Sequence, residues 1–316
     1  MTDATRQPDL DRIRIEPARP EDRATLAMTN PNMRYMAESG WSLVAVDGNE
    51  EFAPVVGSIV VTKGYVESEL ACLGMHLSIV SSWLETDLAD LLLQPVIEST
   101  VEWGARRLRT TEHLQPDAPL GRKLEEHGFI PGETFDTYEM DLEETIESWK
   151  DTLERIERNL KFPEDIEIVP LQEHMAMEIA RAWAAFIGGD AEQNRDTIIR
   201  AIAGLDSLID ANHSRVAIRN GRVIGLHLCK LRDTTLKVHA LAIHPRHRLS
   251  GLQLRLFIDN GVRAFKAGAL VQQYEAGRRQ PDTRNVSKRI KARLINSAIC
   301  YERELGKNDR REAQPR

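Results

Sequence analysis

A short basic segment lies between two apolar segments in the second half of the chain. It contains Arg246, His247 and Arg248, and Gly251 follows three residues later. The residues up to Ile243 alternate as in a strand, and apolar residues after Gly251 recur with a helical period, so the pattern predicts a strand-to-helix turn. A helix start offers unpaired N–H groups and a partial positive charge, which bind phosphates. The predicted anion site comprises Ile243, Arg246, His247, Arg248, Leu249, Ser250, Gly251, Leu252 and Gln253. The alternative is a basic corner that binds no ligand.

The charge of the chain is divided unevenly along its length. The chain carries a net charge of −7, made up of −17 over residues 1–165 and +10 over the remainder. A basic half favours an anionic ligand, although solvated surface charge gives the same composition. Few aromatic residues are interleaved with its lysines and arginines, which disfavours nucleic acid as the partner.

The composition indicates a soluble globular protein of the cytoplasm. Hydrophobic residues make up 41% and charged residues 29% of the 316 residues. No window approaches 18 consecutive apolar residues, so we expect no membrane span. The three cysteines, Cys72, Cys229 and Cys300, are far apart and lie in apolar stretches. They are typical of buried free thiols in a reducing compartment and predict neither a disulfide framework nor a metal site.

The two halves of the chain repeat one order of predicted elements. Each half gives a strand, a helix, a hairpin, a further strand, a helix, a strand, a short helix and a last strand. Two local sequences recur at matching places: Gln115-Pro116-Asp117 with Gln280-Pro281-Asp282, and Tyr138-Glu139 with Tyr301-Glu302. An internal duplication accounts best for this agreement. The predicted fold class is therefore α/β (α+β), with two tandem domains that each hold a mixed central sheet flanked by helices.

The repeat fixes the expected domain boundaries. The first domain is expected at 1–145 and the second at 166–306, with a helical linker at 146–165 and a disordered tail at 307–316. The linker helix is predicted from its apolar residues, which step by three and four positions. A basic helix is also predicted over Val286 to Leu294, and a pair of strands over Phe129 to Leu142.

The element order and the basic turn together resemble the GNAT superfamily of acyl-CoA-dependent N-acyltransferases. The pyrophosphate turn of that family reads Gln/Arg-x-x-Gly-x-Gly/Ala. Arg248 and Gly251 match its first two defining positions, and Gln253 stands where a small residue is expected. The first copy resembles the family in element order, but its turn carries Glu85 and Asp87 and has neither arginine nor glycine. We therefore interpret the chain as a tandem-domain form with a degenerate N-terminal copy.

The resemblance implies the chemistry expected of the second copy. In this family an amine attacks the thioester carbonyl of acetyl-CoA or another acyl-CoA, without a metal, and the acceptor is a small-molecule or peptide amine. The reaction needs a general base, for which His239 is the candidate and His227 the second choice. A tyrosine often reprotonates the thiolate, which singles out Tyr301 or Tyr274. Each of these four side chains is alternatively a structural residue.

Tyr301 can be placed in two ways. The repeat puts it on the last strand, whereas the stretch around it also resembles a late helix of the family, and we prefer the strand because Tyr138-Glu139 supports it.

The sequence hypothesis is an acyl-CoA-dependent N-acyltransferase, transferring acetyl to an amine, with its site in the C-terminal domain. The first alternative is a non-catalytic acyl-CoA-binding or scaffold protein. The second is a GNAT-fold aminoacyl transferase, because Tyr274 to Arg279, with Lys288 and Arg289, resembles a late stretch of the enzymes that build peptidoglycan bridges. A homodimer is compatible with each of these hypotheses.

Overall fold

The chain forms two compact units in a computed structural model. One unit comprises Met1–Thr134 together with Ala298–Arg316, and the other comprises Phe135–Ser297. The structure describes residues 8–19, 22, 41–50, 53–63, 72–160, 165–188, 190–206, 208–248, 250–278, 287–288 and 292–306. Each unit has a sheet flanked by helices, so the predicted fold class is confirmed.

The first unit holds a six-stranded sheet in the order β1-β2-β3-β4-β5-β12. The strands are β1 (Ile13–Pro17), β2 (Trp41–Asp47), β3 (Val55–Lys63), β4 (Cys72–Ile79), β5 (Arg107–Thr110) and β12 (Arg293–Glu304), and the helices are α1 (Leu88–Glu102) and α2 (Pro119–Glu126). Strands β4 and β5 are parallel, and the other described pairs are antiparallel. The core forms where the apolar face of α1, with Leu88, Leu92 and Val96 fully buried, meets side chains of the sheet such as Ile59 and Met75.

The second unit repeats this arrangement with the order β6-β11-β10-β9-β8-β7. The strands are β6 (Ile130–Asp141), β7 (Ile166–Val169), β8 (Arg215–Arg219), β9 (Arg222–Arg232), β10 (Thr235–Ile243) and β11 (Val271–Gly277), and the helices are α3 (Leu142–Leu160), α4 (Ala176–Phe186), α5 (Ala191–Ile202) and α6 (Leu252–Lys266). Asn220 and Gly221 join β8 to β9 with φ values of 51° and 71°. A two-residue turn with both φ values positive matches the twist of a hairpin, as the Asn-Gly pair predicts.

Most of the last strand of each half lies in the unit of the other half: β6 belongs to the second unit from Phe135 onward, and β12 belongs to the first unit from Ala298 onward. Residues 135–141 of β6 pair with β11, and residues 302–304 of β12 pair with β5. The predicted boundaries, 1–145 and 166–306, instead kept each last strand with its own half. The stretch from Phe129 to Leu142 was also predicted as two strands, and this was wrong because β6 runs through it without a break.

The predicted linker helix is part of the second unit. Helix α3 starts at Leu142, before the expected 146, and residues 161–164 of the linker lie outside the described residues. Leu142 and Ile146 pack on α6 at Gly261, where an added Cβ would lie 3.3 Å from Cδ1 of Leu142 and 3.5 Å from Cδ1 of Ile146. The apolar face of α3 therefore packs on α6.

Two further predictions concern the end of the chain. The basic helix predicted over Val286 to Leu294 is wrong at Arg293 and Leu294, which belong to β12. Ser287 and Lys288 are helical and Ala292 is in neither a helix nor a strand, whereas residues 286, 289–291 and the tail at 307–316 lie outside the described residues. Within the described part of the chain, no helix is both long and apolar enough to cross a membrane.

Candidate functional site

Two neighbouring strands of the second unit separate halfway along their length. Strands β10 and β11 are parallel partners from Thr235 opposite Val271 to Val238 opposite Tyr274. Beyond this point β10 pairs only with β9, while β11 pairs with β6 as far as Gly277. The carboxyl ends of the two strands therefore leave a gap, which we call the second notch. Crevices outside the carboxyl ends of diverging strands are ligand sites in open α/β sheets.

His239 lies where the two strands separate. The register between β10 and β9 shifts between Val238 and Ala240, so His239 is the extra residue of a β-bulge. A bulge re-aims a side chain and is frequent next to active sites. The side chain is exposed, and its ring contacts that of Trp183 edge-on, with the centroids 5.5 Å apart. Trp183 lies on α4 and is itself buried, so it holds one side of the imidazole.

The surroundings of His239 favour its neutral form. Neighbouring groups remove part of its hydration although solvent still reaches the ring, and this desolvation lowers the pKa below its ordinary value of 6.5. The carboxylates of Asp206 and Glu275 act in the opposite direction, but they do not cancel the effect. A neutral imidazole near pH 7 has a lone pair and can accept a proton.

The second candidate base, His227, is a core residue. Its side chain is fully buried and stacks on Phe257, with the ring centroids 6.1 Å apart. Its Nδ1 lies 3.3 Å from Nδ2 of Asn260, and burial lowers the pKa of the imidazole to about 4. A histidine without solvent access cannot take a proton from a bound substrate, so the structural alternative holds for His227.

Tyr274 lies at the point of separation, opposite Val238. Its hydroxyl donates a hydrogen bond of 2.6 Å to Oγ of Ser287, and its ring stacks on that of Tyr138. Burial raises the pKa of the phenol to about 12, so the hydroxyl keeps its proton at neutral pH. The register thus places the backbone of Tyr274 one residue from that of His239 across the two strands.

Tyr301 lies on β12 within the first unit. Placing it on the last strand is confirmed, and the helical alternative is wrong. The side chain is 4% exposed in the core of that unit, and its N–H donates to Oγ1 of Thr110. A Cβ added at Gly121 would lie 2.6 Å from its hydroxyl oxygen. The structure therefore places Tyr301 in the packing of α2 and does not bring it into the unit of His239.

The predicted basic turn connects β10 to α6. Ile243 ends β10, a 3₁₀ turn covers Pro245–His247, and Gly251 precedes the helix in the left-handed conformation, with φ of 79°. That conformation is costly for residues with a Cβ, which explains the glycine. The N–H of Arg255 donates to the Gly251 carbonyl, so the N–H of Gln253 comes before this bond and points out of the helix start.

The side chains of the turn divide into two groups. Arg246, Arg248 and Gln253 are exposed, and His247 and Ser250 are half-buried. Ile243, at the end of β10, and Leu252, the first residue of α6, are buried in the same apolar cluster. They can therefore offer a ligand only backbone atoms. Leu249 lies outside the described residues. Two guanidinium groups beside the start of a 15-residue helix fit a diphosphate.

The sequence did not predict that two residues, Glu275 and Trp183, lie beside His239. Glu275 is exposed on β11 directly after Tyr274, and its position one residue beyond a candidate acid was the available signal. Trp183 gave no signal, because its contact with His239 arises from the packing of α4 on the sheet.

The corresponding turn of the first unit is occupied by acidic residues. A 3₁₀ turn covers Ser81–Trp83, and Asp87 directly precedes α1. Oε1 of Glu85 lies 3.8 Å from a guanidinium nitrogen of Arg122, and Oδ1 of Asp87 lies 3.3 Å from Nζ of Lys123. A second anion at this helix start would have to compete with these carboxylates.

Comparison of the sequence with protein-family models and with curated proteins gives no match. Several solved structures are similar to the chain. A GCN5-related N-acetyltransferase from Sphaerobacter thermophilus has a TM-score of 0.58 at 14% identity, over 93% of this chain and 96% of that protein. A tandem GNAT protein from the clavulanic acid biosynthesis pathway has a TM-score of 0.59 at 11% identity, over 93% and 99%.

A third similar structure is a conserved protein from Enterococcus faecalis V583, described as a probable N-acyltransferase. Its TM-score is 0.61 at 8% identity, over 93% of this chain and 73% of that protein. Matches at such low identity establish architecture. The chain therefore has the fold of the GCN5-related N-acetyltransferases.

Proposed function

We propose that the second unit binds an acyl-CoA and transfers its acyl group, acetyl in the simplest case, to an amine. The observation that carries this proposal is the separation of β10 and β11 after Val238 and Tyr274, with His239 in the bulge at that point. The basic turn supports it, because it connects the end of β10, the strand that carries the bulge, to the helix start at Gly251.

The donor is held through its phosphates. The N–H groups at the start of α6 and the exposed guanidinium groups of Arg246 and Arg248 bind the diphosphate, and Gly251 allows the ligand to approach the backbone. The thioester then lies in the second notch, beside His239. Ile243 and Leu252 hold the turn in place from the core.

The acyl transfer uses one base and one acid. The amine nitrogen attacks the thioester carbonyl carbon, His239 takes the proton that the nitrogen loses, and the carbon–sulfur bond breaks. Tyr274, protonated at neutral pH, gives its proton to the departing thiolate. No proton transfer is assigned to Tyr301, because it is packed in the core of the first unit.

The acceptor is a small-molecule or peptide amine. The exposed carboxylate of Glu275 lies one residue beyond Tyr274 on β11, and it favours an amine that arrives as a cation and releases one proton to solvent before the neutral nitrogen attacks. Cys72, Cys229 and Cys300 form no disulfide with one another, which is compatible with activity in a reducing cytoplasm.

The test uses the full chain and measures binding and turnover separately. Thermal shifts are recorded with acetyl-CoA, malonyl-CoA, longer acyl-CoAs and free nucleotides, and thiol release is followed with acetyl-CoA and a panel of primary amines. We expect stabilisation by an acyl-CoA and amine-dependent thiol release. Stabilisation by nucleotides but by no acyl-CoA would overturn the proposal.

A second function is favoured by one residue of the turn. Gln253 is exposed at the helix start, where the family has a small residue, and a side chain of this length would crowd a donor that binds there. Binding of acyl-CoA without thiol release for any amine would therefore indicate an acyl-CoA-binding scaffold. Transfer of an aminoacyl group from an aminoacyl carrier, without release of the CoA thiol, would indicate the aminoacyl transferase.

A further inference from the structure

The first unit contains a separation of strands like that of the second. Strands β4 and β5 are parallel partners from Cys72 opposite Arg107 to Met75 opposite Thr110. Strand β5 then ends, while β4 continues beside β3 to Ile79. The gap beyond Met75 and Thr110 is called the first notch. Four parallel pairs precede each notch, so the residue that follows the last pair on β4, His76, corresponds to His239.

The carboxylate of Glu112 lies in the first notch. Its Oε1 accepts a hydrogen bond of 2.6 Å from the N–H of Leu77, which therefore points away from β3 and into the gap. Its Oε2 lies 2.9 Å from Nδ1 of His76 and accepts a bond of 3.2 Å from Oγ1 of Thr111. Both oxygens thus have partners on the walls of the notch.

The carboxylate of Glu112 is largely buried, and the backbone that carries it is held in place. The side chains of His76 and Glu112 are only 8% and 18% exposed. The chain before Glu112 is fixed to β4, because the N–H of Thr111 donates a hydrogen bond of 2.7 Å to the Met75 carbonyl, which also lies within 3.2 Å of the Thr111 hydroxyl. A mostly buried carboxylate with several donors is held by charge-assisted hydrogen bonds, which are stronger than neutral ones.

We propose that the first notch is a carboxylate-binding site, formed by the N–H of Leu77 and the imidazole of His76, which the chain fills with its own Glu112. In the second unit, the residue two positions beyond the last parallel pair on β11 is Ala276, which has no polar group. The second notch is therefore left without such a side chain at this position. The proposal stands whether or not the second unit is an acyltransferase.

The ligand that fits the first notch is a small carboxylate. Removing the Glu112 side chain leaves a donor pair spaced for one carboxylate and opens a space of about that size. A small monocarboxylate such as formate or acetate should then bind where the side chain was. Chloride is a single atom and cannot bridge the two donors as the two oxygens of a carboxylate do, and acetamide has no charge.

The experiment compares melting temperatures of the full chain and its Glu112→Ala variant. We expect the variant to melt roughly 4–8 °C lower, the shift that loss of a buried bond network produces in a unit of this size. Sodium formate or acetate should restore at least half of that loss. Sodium chloride at equal ionic strength and acetamide should restore little, and formate should leave the wild type unchanged. The control is Glu102→Ala, an exposed glutamate of the same unit, which should shift by less than about 1 °C and show no response to formate.

A second measurement covers the case in which Glu112→Ala does not fold. Hydrogen exchange of the Leu77 amide is measured in the wild type and in Glu112→Gln, which keeps the size of the side chain and one acceptor oxygen. We expect protection in the wild type and at least tenfold faster exchange in Glu112→Gln, because the charge is lost. Exchange of the wild-type Leu77 amide at the rate of an unpaired amide would overturn the proposal. Equal recovery of Glu112→Ala by chloride or acetamide, or equal stabilisation of the wild type by formate, would overturn it as well.

Discussion

Val238 lies opposite Tyr274 in the last parallel pair of β10 and β11, and from the next residue onward the two strands no longer pair with each other. The proposed base follows Val238 directly, and the proposed acid is Tyr274 itself. Both therefore stand on strands of a hydrogen-bonded sheet, which holds side chains more precisely than loops do. The expected effects of substitutions follow from this placement.

Replacing the base should remove most of the turnover. His239→Gln is expected to lower kcat by about 100-fold while the affinity for acetyl-CoA stays within about twofold. Since the neutral imidazole is the active form and its pKa is lowered, the wild-type rate should rise with pH and reach half its maximum below pH 6.5. That acid limb should be absent from the variant. His174→Gln, at an exposed histidine of the same unit, serves as the control and should keep the limb.

The helix start can be tested with two glycines of equal backbone conformation. Gly251 and Gly221 have φ values of 79° and 71°, and Gly221 lies in the β8–β9 turn with no atom within 4 Å of an added Cβ. Either aspartate variant should lose about 1–2 kcal/mol of stability from strain. Only Gly251→Asp should also weaken acetyl-CoA binding, by tenfold or more, because it places a carboxylate beside the diphosphate. Equal losses of affinity by calorimetry would contradict this assignment of the phosphate site.

The direction in which a substitution of Gln253 changes acetyl-CoA affinity distinguishes two roles for its side chain. If its side chain obstructs the donor, Gln253→Ala should bind acetyl-CoA more tightly, and this is the expected result. If the amide instead donates to a phosphate, the variant should bind more weakly by about 1.5–3 kcal/mol. Gln193→Ala, at an exposed glutamine in the first turn of α5, is the matched control and should leave affinity unchanged. Unchanged affinity in Gln253→Ala would show that the phosphates bind elsewhere.

The buried histidine predicts how stability depends on pH. The imidazole of His227 has a pKa of about 4 when folded and near 6.5 when unfolded, so between these values the unfolded chain binds the additional proton. The free energy of unfolding should therefore fall as pH drops through this window, by about 3 kcal/mol from this residue. Urea titrations of His227→Gln should show a correspondingly shallower fall, whereas His174→Gln should match the wild type. An equally steep fall in His227→Gln would show that other groups cause it.

The acidic turn of the first unit should not take part in donor binding. Glu85→Ala and Asp87→Ala each break an ion pair with α2, to Arg122 and Lys123, and these exposed pairs contribute at most about 1 kcal/mol. Acetyl-CoA affinity should be unchanged in both variants. A tenfold gain or loss would place a donor in the first unit.

Local signals in the sequence identified the elements around the site. Asn220-Gly221 predicted its hairpin, and Gly251 predicted the helix start, because each requires a backbone conformation that glycine adopts easily. The choice between His239 and His227 could not be made in this way. Both lie on strands, and the bulge that exposes His239 shifts the alternation of faces without any mark in the sequence.

The exchange of last strands was equally hidden. Tyr138-Glu139 and Tyr301-Glu302 are the same dipeptide in equivalent strands, so the pattern gives no reason for one sheet over the other. Pairing between distant strands is decided by the whole fold. For the same reason, the repeat assigned Tyr301 to the second domain. This was wrong, because the strand that carries Tyr301 belongs to the first unit.

The exchanged strands also set the order in which the protein can fold as it is synthesised. Arg107 of β5 bonds to Glu304 of β12, which follows 197 residues later. Until the ribosome has released that last strand, β5 is the unpaired edge of an otherwise formed sheet, and such an edge can pair with other chains. A nascent chain stopped before residue 298 should therefore depend on chaperones to stay soluble, although nearly all of the first half has already emerged.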